Sequence, residues 1–110
     1  MQPKQAAMPF MKKLPKPKNN DPLFVRCIEV WGAEAQIRQG ADECTELALA
    51  LLHVLREKKT KALDCVIEEM ADVELMMEQV KYMLSIPQDL IEKVKAKKVR
   101  RLKRLLKGSQ

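Results

Sequence analysis

ADECTELALALLHVLREKKTKALDCVIEEMADVELMMEQVKYMLSIP, residues 41–87, decides how this chain folds. Apolar residues recur there in steps of three and four, the period of a helix. From Glu43 these steps reach Leu47, Ala50 and Val54, and from Glu69 they reach Val73, Met76, Val80 and Met83. The polar run Arg56 to Lys61 separates the two patterns, and Ser85-Ile86-Pro87 ends the second. Two long helices with a short connection predict antiparallel neighbours.

Upstream, Asp21-Pro22 predicts a helix start, with Asp21 as N-cap and Pro22 at the first helical position. That helix runs to about Trp31, with Phe24, Cys27, Ile28 and Trp31 on one side, and Gly32 interrupts it. The second helix spans about Ala33 to Lys58, and Gly40 marks a break or a loop between two pieces. Its apolar face reads Ile37, Ala41, Cys44, Leu47 or Ala48, Leu51 and Leu55. Leu47 to Leu52 is apolar all round, which implies contact on more than one side. The third helix spans about Ala62 to Leu84 with a broad stripe that includes Leu63, Val66, Ile67 and Met70. Pro87 opens a fourth, which carries Leu90, Ile91, Val94, Leu102, Leu105 and Leu106 among dense Lys and Arg.

The fold class that follows is all-α, an antiparallel helical bundle of about four helices. Residues 1–20 hold four of the six Pro and five Lys, and read as a disordered or loosely draped basic arm. Residues 21–107 form the helical domain. A core this small is marginal by surface-to-volume scaling. The broad apolar stripes therefore predict a second subunit: a homodimer, or a homotetramer.

Composition agrees. Apolar content of 46% and charged content of 33% fit a soluble helical protein, and Gly and aromatics are too few for a β fold. Cys27, Cys44 and Cys65 are odd in number and widely separated, which with no signal peptide reads as a reduced, cytoplasmic protein. The longest apolar run is too short to span a bilayer. Charge is partitioned: residues 1–20 carry +5, residues 21–85 carry −6 and residues 86–110 carry +7, giving the net +6. Basic ends that serve an acidic middle, or a phosphate bound there, make nucleic acid an unlikely partner.

The acidic middle holds the candidate site. Glu43 and Glu46 are three apart, as are Glu69 and Asp72, so each pair shares a helix face. Both pairs lie on stripes that should be buried, where carboxylates must be neutralised, paired or bound to metal. Four carboxylates about 5 Å apart repel by on the order of 3 kcal/mol per pair at an effective dielectric near 20. Oxygen-only ligands suit Mg²⁺ or Mn²⁺ rather than Zn²⁺, and Mg²⁺ takes phosphate oxygens as further ligands. The bland alternative is a solvated face whose acids pair with Lys. A strictly antiparallel pairing is expected to offset the two pairs by a few turns, unless a break near Gly40 or a tilt brings them level.

Glu43-x-x-Glu46, twenty-two intervening residues and Glu69-x-x-Asp72 resemble the signature of the MazG-like, all-α nucleoside triphosphate pyrophosphohydrolases. Asp42-Glu43-Cys44-Thr45-Glu46-Leu47 and Ile67-Glu68-Glu69-Met70-Ala71-Asp72-Val73 resemble its two motif blocks, and Trp31-Gly32-x-Glu34-x-Gln36 resembles the run before the first block in phage-type members. The resemblance covers roughly residues 23–85 and, more loosely, 90–105. It implies hydrolysis of a nucleoside triphosphate between the α and β phosphates, with Glu43, Glu46, Glu69 and Asp72 holding Mg²⁺ and Glu43 or Glu46 able to serve also as base. Glu68, one step round the helix, is solvated or supports the ligands.

Further candidates surround these acids. Lys98-Val99-Arg100-Arg101 resembles a basic patch that follows the second motif, and Lys98 and Arg101 can grip one phosphate from one helix face; a solvated basic tail is the equal alternative. Lys81 is a second candidate for phosphate. Trp31 could stack on a base, although core or interface packing is the commoner fate of such a Trp. Gln36 or Gln39 could read base edges. The lone His53 reads as structural or surface, and Met70, Met76, Met77 and Met83 as adaptable core or dimer packing. A di-iron bundle is excluded because it needs Glu-x-x-His pairs and position 50 is Ala. The remaining rivals are a dimerisation module whose acids pair with Lys across subunits, and a non-enzymatic helical dimer that binds nucleic acid through its basic termini.

Overall fold

A computed structural model describes residues 20–57 and 60–109. The basic arm therefore lies outside the described residues, apart from Asn20. The described residues are all-α, with four helices in the order α1 (Asp21–Trp31), α2 (Ala33–Arg56), α3 (Thr60–Met83) and α4 (Gln88–Gly108).

Helix α1 begins at Asp21, one residue earlier than expected. Asn20 holds the cap position and makes no side-chain cap bond, while Asp21 is already helical. There its charge favours the positive end of the helix dipole. Phe24 is buried, Cys27 and Ile28 are half-buried, and Trp31 is 58% exposed, so of the core or interface packing expected for Trp31 the core alternative is not found. Gly32 closes α1 and opens α2. Its N–H donates to Ile28 O (2.8 Å) and its carbonyl accepts from Gln36 N (3.1 Å). Its backbone (φ 90°, ψ 149°) is one that only glycine adopts without strain.

Helix α2 runs through Gly40 without the expected break. The reason is packing: a Cβ at Gly40 would lie 3.5 Å from Val80 Cγ2 and 3.9 Å from Met76 Cβ. The small residue marks the close approach of two continuous helices. Gln36 opposite Gln79, Gly40 opposite Val80 and Glu43 beside Asp72 establish the antiparallel register of α2 and α3.

The inner faces are the stripes walked from the two glutamates. Leu47, Ala50 and Val54 on α2 and Val73, Met76 and Val80 on α3 are half-buried, and Met83 is fully buried. The alternative α2 face through Ala41, Cys44, Ala48, Leu51 and Leu55 is exposed, contrary to expectation. One partner helix can cover only one side of α2. Leu55 (72% exposed), Leu63, Ile67 and Met70 therefore form outward apolar stripes. Met76 and Met83 belong to the core, Met70 faces outward, and Met77 lies at the edge of the seam with its Cε near Gly40.

Helix α1 packs on both long helices at the end away from their connection. Phe24, Tyr82 and Met83 are buried there, and burial together with the nearby charge of Asp21 pushes the Tyr82 hydroxyl to a raised pKa. The end of α3 carries a two-bond C-cap, Ser85 N–H to Tyr82 O (3.3 Å) and Ile86 N–H to Lys81 O (2.9 Å). Ser85 occupies the left-handed position (φ 52°) usually given to glycine. Pro87 then precedes α4, which has no buried residue and scarcely touches the other helices. The expected bundle is thus three packed helices and one that projects, in a molecule 58 Å long. No helix among the described residues is long and apolar enough to cross a membrane.

Candidate metal and nucleotide site

The expected offset between the acid pairs is absent. Each pair lies near the middle of a 24-residue helix, so an antiparallel hairpin sets them level. One carboxylate oxygen from each of Glu43, Glu69 and Asp72 lies within 4.8 Å of the others. Glu46, exposed like Asp72, lies outside this group of three, and its charge acts on Glu69. Glu68 is exposed.

Electrostatics match this crowding. Burial raises the Glu69 pKa above the ordinary carboxylate range, and the charges of Glu46, Asp72 and Glu43 raise it further. Gln39 Nε2 donates to Glu43 Oε1 (2.8 Å) and orients it, but Glu43 Oε2 and Glu69 Oε2 are buried with no partner. Orphaned, buried, hard oxygen donors on facing helices fit a divalent cation, and the donor set suits Mg²⁺ or Mn²⁺. Among the described residues, no ion pair reaches any of these acids.

Beside the acids, a cleft of about 570 Å³ opens between α1 and the hairpin. Phe24, Cys27, Leu75 and Met76 give it apolar walls, Trp31 flanks it, and Gln36, Gln39 and Gln79 supply amides. Gln39 belongs to both features, since it lines the cleft and holds Glu43. Gln36 is oriented by Gln79, whose Nε2 donates to Gln36 Oε1 at 2.9 Å in a buried pair. The sequence reading missed Gln79. Its signal was an uncharged amide on a buried stripe between Met76 and Met83.

The other candidates stand apart. Lys98 and Arg101 are exposed on α4, which makes no substantial contact with the hairpin. Lys81 Nζ donates to Gln88 Oε1 (2.8 Å), and Gln88 Nε2 in turn donates to Glu92 Oε1 (2.7 Å). These bonds tie the end of α3 to the first turn of α4, and Gln88 and Lys95 hold the Glu92 pKa below its ordinary value. Lys81 is nine residues along α3 from Asp72, about 14 Å at the helical rise. His53 lies 3.4 Å from Glu57 on the surface, away from the acids.

No protein-family model, curated protein or solved structure matches this chain. The functional reading therefore rests on the site and on the motif resemblance.

Proposed function

We propose that this protein is a Mg²⁺-dependent nucleotide pyrophosphohydrolase of the MazG-like type, which cleaves a ribo- or deoxynucleoside triphosphate to the monophosphate and pyrophosphate. The observation that carries the reading is the convergence of Glu43, Glu69 and Asp72, beside orphaned oxygens on Glu43 and Glu69 and a cleft of about 570 Å³. Glu43, Glu46, Glu69 and Asp72 are the proposed ligands for Mg²⁺, or Mn²⁺ in its place. What a bound divalent ion supplies is neutralisation of phosphate charge and a more acidic water.

The chain's own groups do the rest. Gln39 fixes the orientation of Glu43. Glu43 or Glu46 is the proposed acceptor of the water's proton, beside Glu69, whose pKa is raised by burial and by its acidic neighbours. The water oxygen bonds to the α phosphorus, the bond from that phosphorus to the bridging oxygen breaks, and pyrophosphate leaves. Trp31 and the Gln36–Gln79 pair receive the base, and Lys98 and Arg101 the outer phosphates. The outward stripes through Leu55, Leu63, Ile67 and Met70 support a homodimer, or a tetramer. Three free thiols fit a reducing compartment such as the cytoplasm.

A second reading has one observation behind it. The exposed α4 carries nine basic residues, which suits a non-enzymatic dimer that binds nucleic acid. It leaves the carboxylates unexplained. The deciding experiment incubates the protein with Mg²⁺ and a panel of nucleoside triphosphates and measures pyrophosphate. Release is expected, and Glu69→Gln or Asp72→Asn abolishes it while the chain stays folded. No release from any nucleotide removes the enzymatic reading, and metal-independent DNA binding with a steep salt dependence installs the second.

A further inference from the structure

We infer that Gln39 is a positioning residue that couples the cleft to the carboxylate cluster, so that a base bound in the cleft sets the orientation of Glu43 and strengthens divalent-ion binding. The nature of the two ligands rests on the pyrophosphohydrolase reading; the coupling between them is measured without turnover.

Gln39 stands where the two features meet. It lines the cleft, and its Nε2 donates to Glu43 Oε1 at 2.8 Å, one helical turn further along α2. The same step joins cleft and acids on the facing helix: Leu75 lines the cleft, and Asp72 is three residues before it on α3. Both walls of the cleft therefore reach the acids within about 6 Å of helix. Among the described residues, Gln39 is the one lining residue with a hydrogen bond to a member of the cluster.

The chemistry of the amide gives the coupling its direction. An ionised Glu43 offers only acceptors, so Gln39 must turn its nitrogen to Glu43, and its carbonyl oxygen is left for the cleft. That oxygen is an acceptor for an N–H donor, and all five common nucleobases carry one. A base N–H bonded there polarises the amide and strengthens the bond on its far side, from Nε2 to Glu43. It also orders a side chain that is exposed and, among the described residues, hydrogen-bonded to Glu43 alone. Holding Oε1 sets the plane of the Glu43 carboxylate, and with it the direction of Oε2, which is buried without a partner. The Gln36–Gln79 pair differs. It is buried and fixed beforehand, so it can receive a base but passes nothing on to the acids. Coupling between two sites is reciprocal, so the ion tightens the base by the factor with which the base tightens the ion.

Two measurements on the full chain test this. The first follows Mn²⁺ binding by electron paramagnetic resonance, with and without adenosine, guanosine, cytidine, uridine or thymidine. None of these carries a phosphate that could reach the ion. Fluorescence of Trp31, the single Trp and a flank of the cleft, reports that the nucleoside is bound. At least one nucleoside should raise the Mn²⁺ affinity about tenfold, within the usual range of such couplings. Gln39→Met keeps the length of the side chain and removes both amide groups, and an exposed position tolerates it. With the same nucleoside bound, this variant should show no rise. An affinity that no nucleoside changes, or a rise that survives in Gln39→Met, overturns the proposal. The second compares Mg²⁺-dependent pyrophosphate release from the preferred nucleoside triphosphate and from inorganic tripolyphosphate, which has no base. Tripolyphosphate should show a lower kcat and not only a higher KM, because the base is used to order Glu43. The Gln39→Met variant should lose the kcat advantage of the nucleotide. Equal kcat values in wild type overturn the positioning role. Wild type that releases no pyrophosphate from any nucleotide sinks the enzymatic reading, and the Mn²⁺ titration still decides the coupling.

Discussion

Gln79 donates a hydrogen bond to Gln36 across the α2–α3 seam at 2.9 Å, and both amides are buried. This polar pair adjoins the cleft and pins the register that sets Glu43 beside Asp72.

Breaking that pair from one side should be costly. Gln79→Leu leaves the Gln36 amide buried without its donor, and a loss of about 1–3 kcal/mol is expected in urea unfolding. The double variant Gln36→Leu/Gln79→Leu should lose less than the two single losses combined, because no amide is stranded. Simple additivity would show that the pair does not act as a unit.

Gly40→Ala should stabilise the protein. The added methyl meets Val80 Cγ2 at 3.5 Å and Met77 Cε at 3.8 Å, which is ordinary contact, and alanine gains about 1 kcal/mol of helix propensity over glycine. Gly40→Leu should force the helices apart and lower the melting temperature. An Ala variant that melts below wild type contradicts the close but unstrained approach described here.

Ser85 sits at φ 52° with its hydroxyl buried and unpartnered. Ser85→Gly removes both penalties and should add about 0.5–1 kcal/mol. Ser85→Val should do the opposite, since a β-branched side chain resists that backbone. Thermal melts of the two variants read the difference directly.

The raised pKa of Glu69 gives stability a definite pH dependence. The folded chain holds this proton more tightly than the unfolded chain does. Without divalent ions, stability therefore falls as pH rises from the ordinary carboxylate range through the raised value. Glu69→Gln should flatten that part of the profile and raise the metal-free melting temperature above it. Mg²⁺ at a hundred times its dissociation constant should restore about 2.7 kcal/mol to wild type. A melting temperature indifferent to both pH and Mg²⁺ would mean that the acids are simply solvated.

Much of this was readable in one dimension. The carboxylates and the half-buried residues share stripes because helical periodicity assigns a face to every third or fourth position. Gly32 and Ser85-Ile86-Pro87 ended helices for local backbone reasons. Gly40 misled because glycine has two uses: it can break a helix, or it can admit a neighbour, and Val80 is forty residues away. The choice between two apolar faces of α2 was equally closed to periodicity, which shows which residues share a side but not which side is covered.

The sequence by itself determined four helices, their ends and the placement of Glu43 and Glu69 on inward stripes, because these depend on residues within one or two turns of each other; Glu46 and Asp72, expected on buried stripes as well, are exposed. The tertiary structure alone decided that the acid pairs stand level, that Gln36 meets Gln79 and that α4 stands clear. Those outcomes depend on where the hairpin turns and on contacts between residues distant in the chain, where local periodicity carries no information.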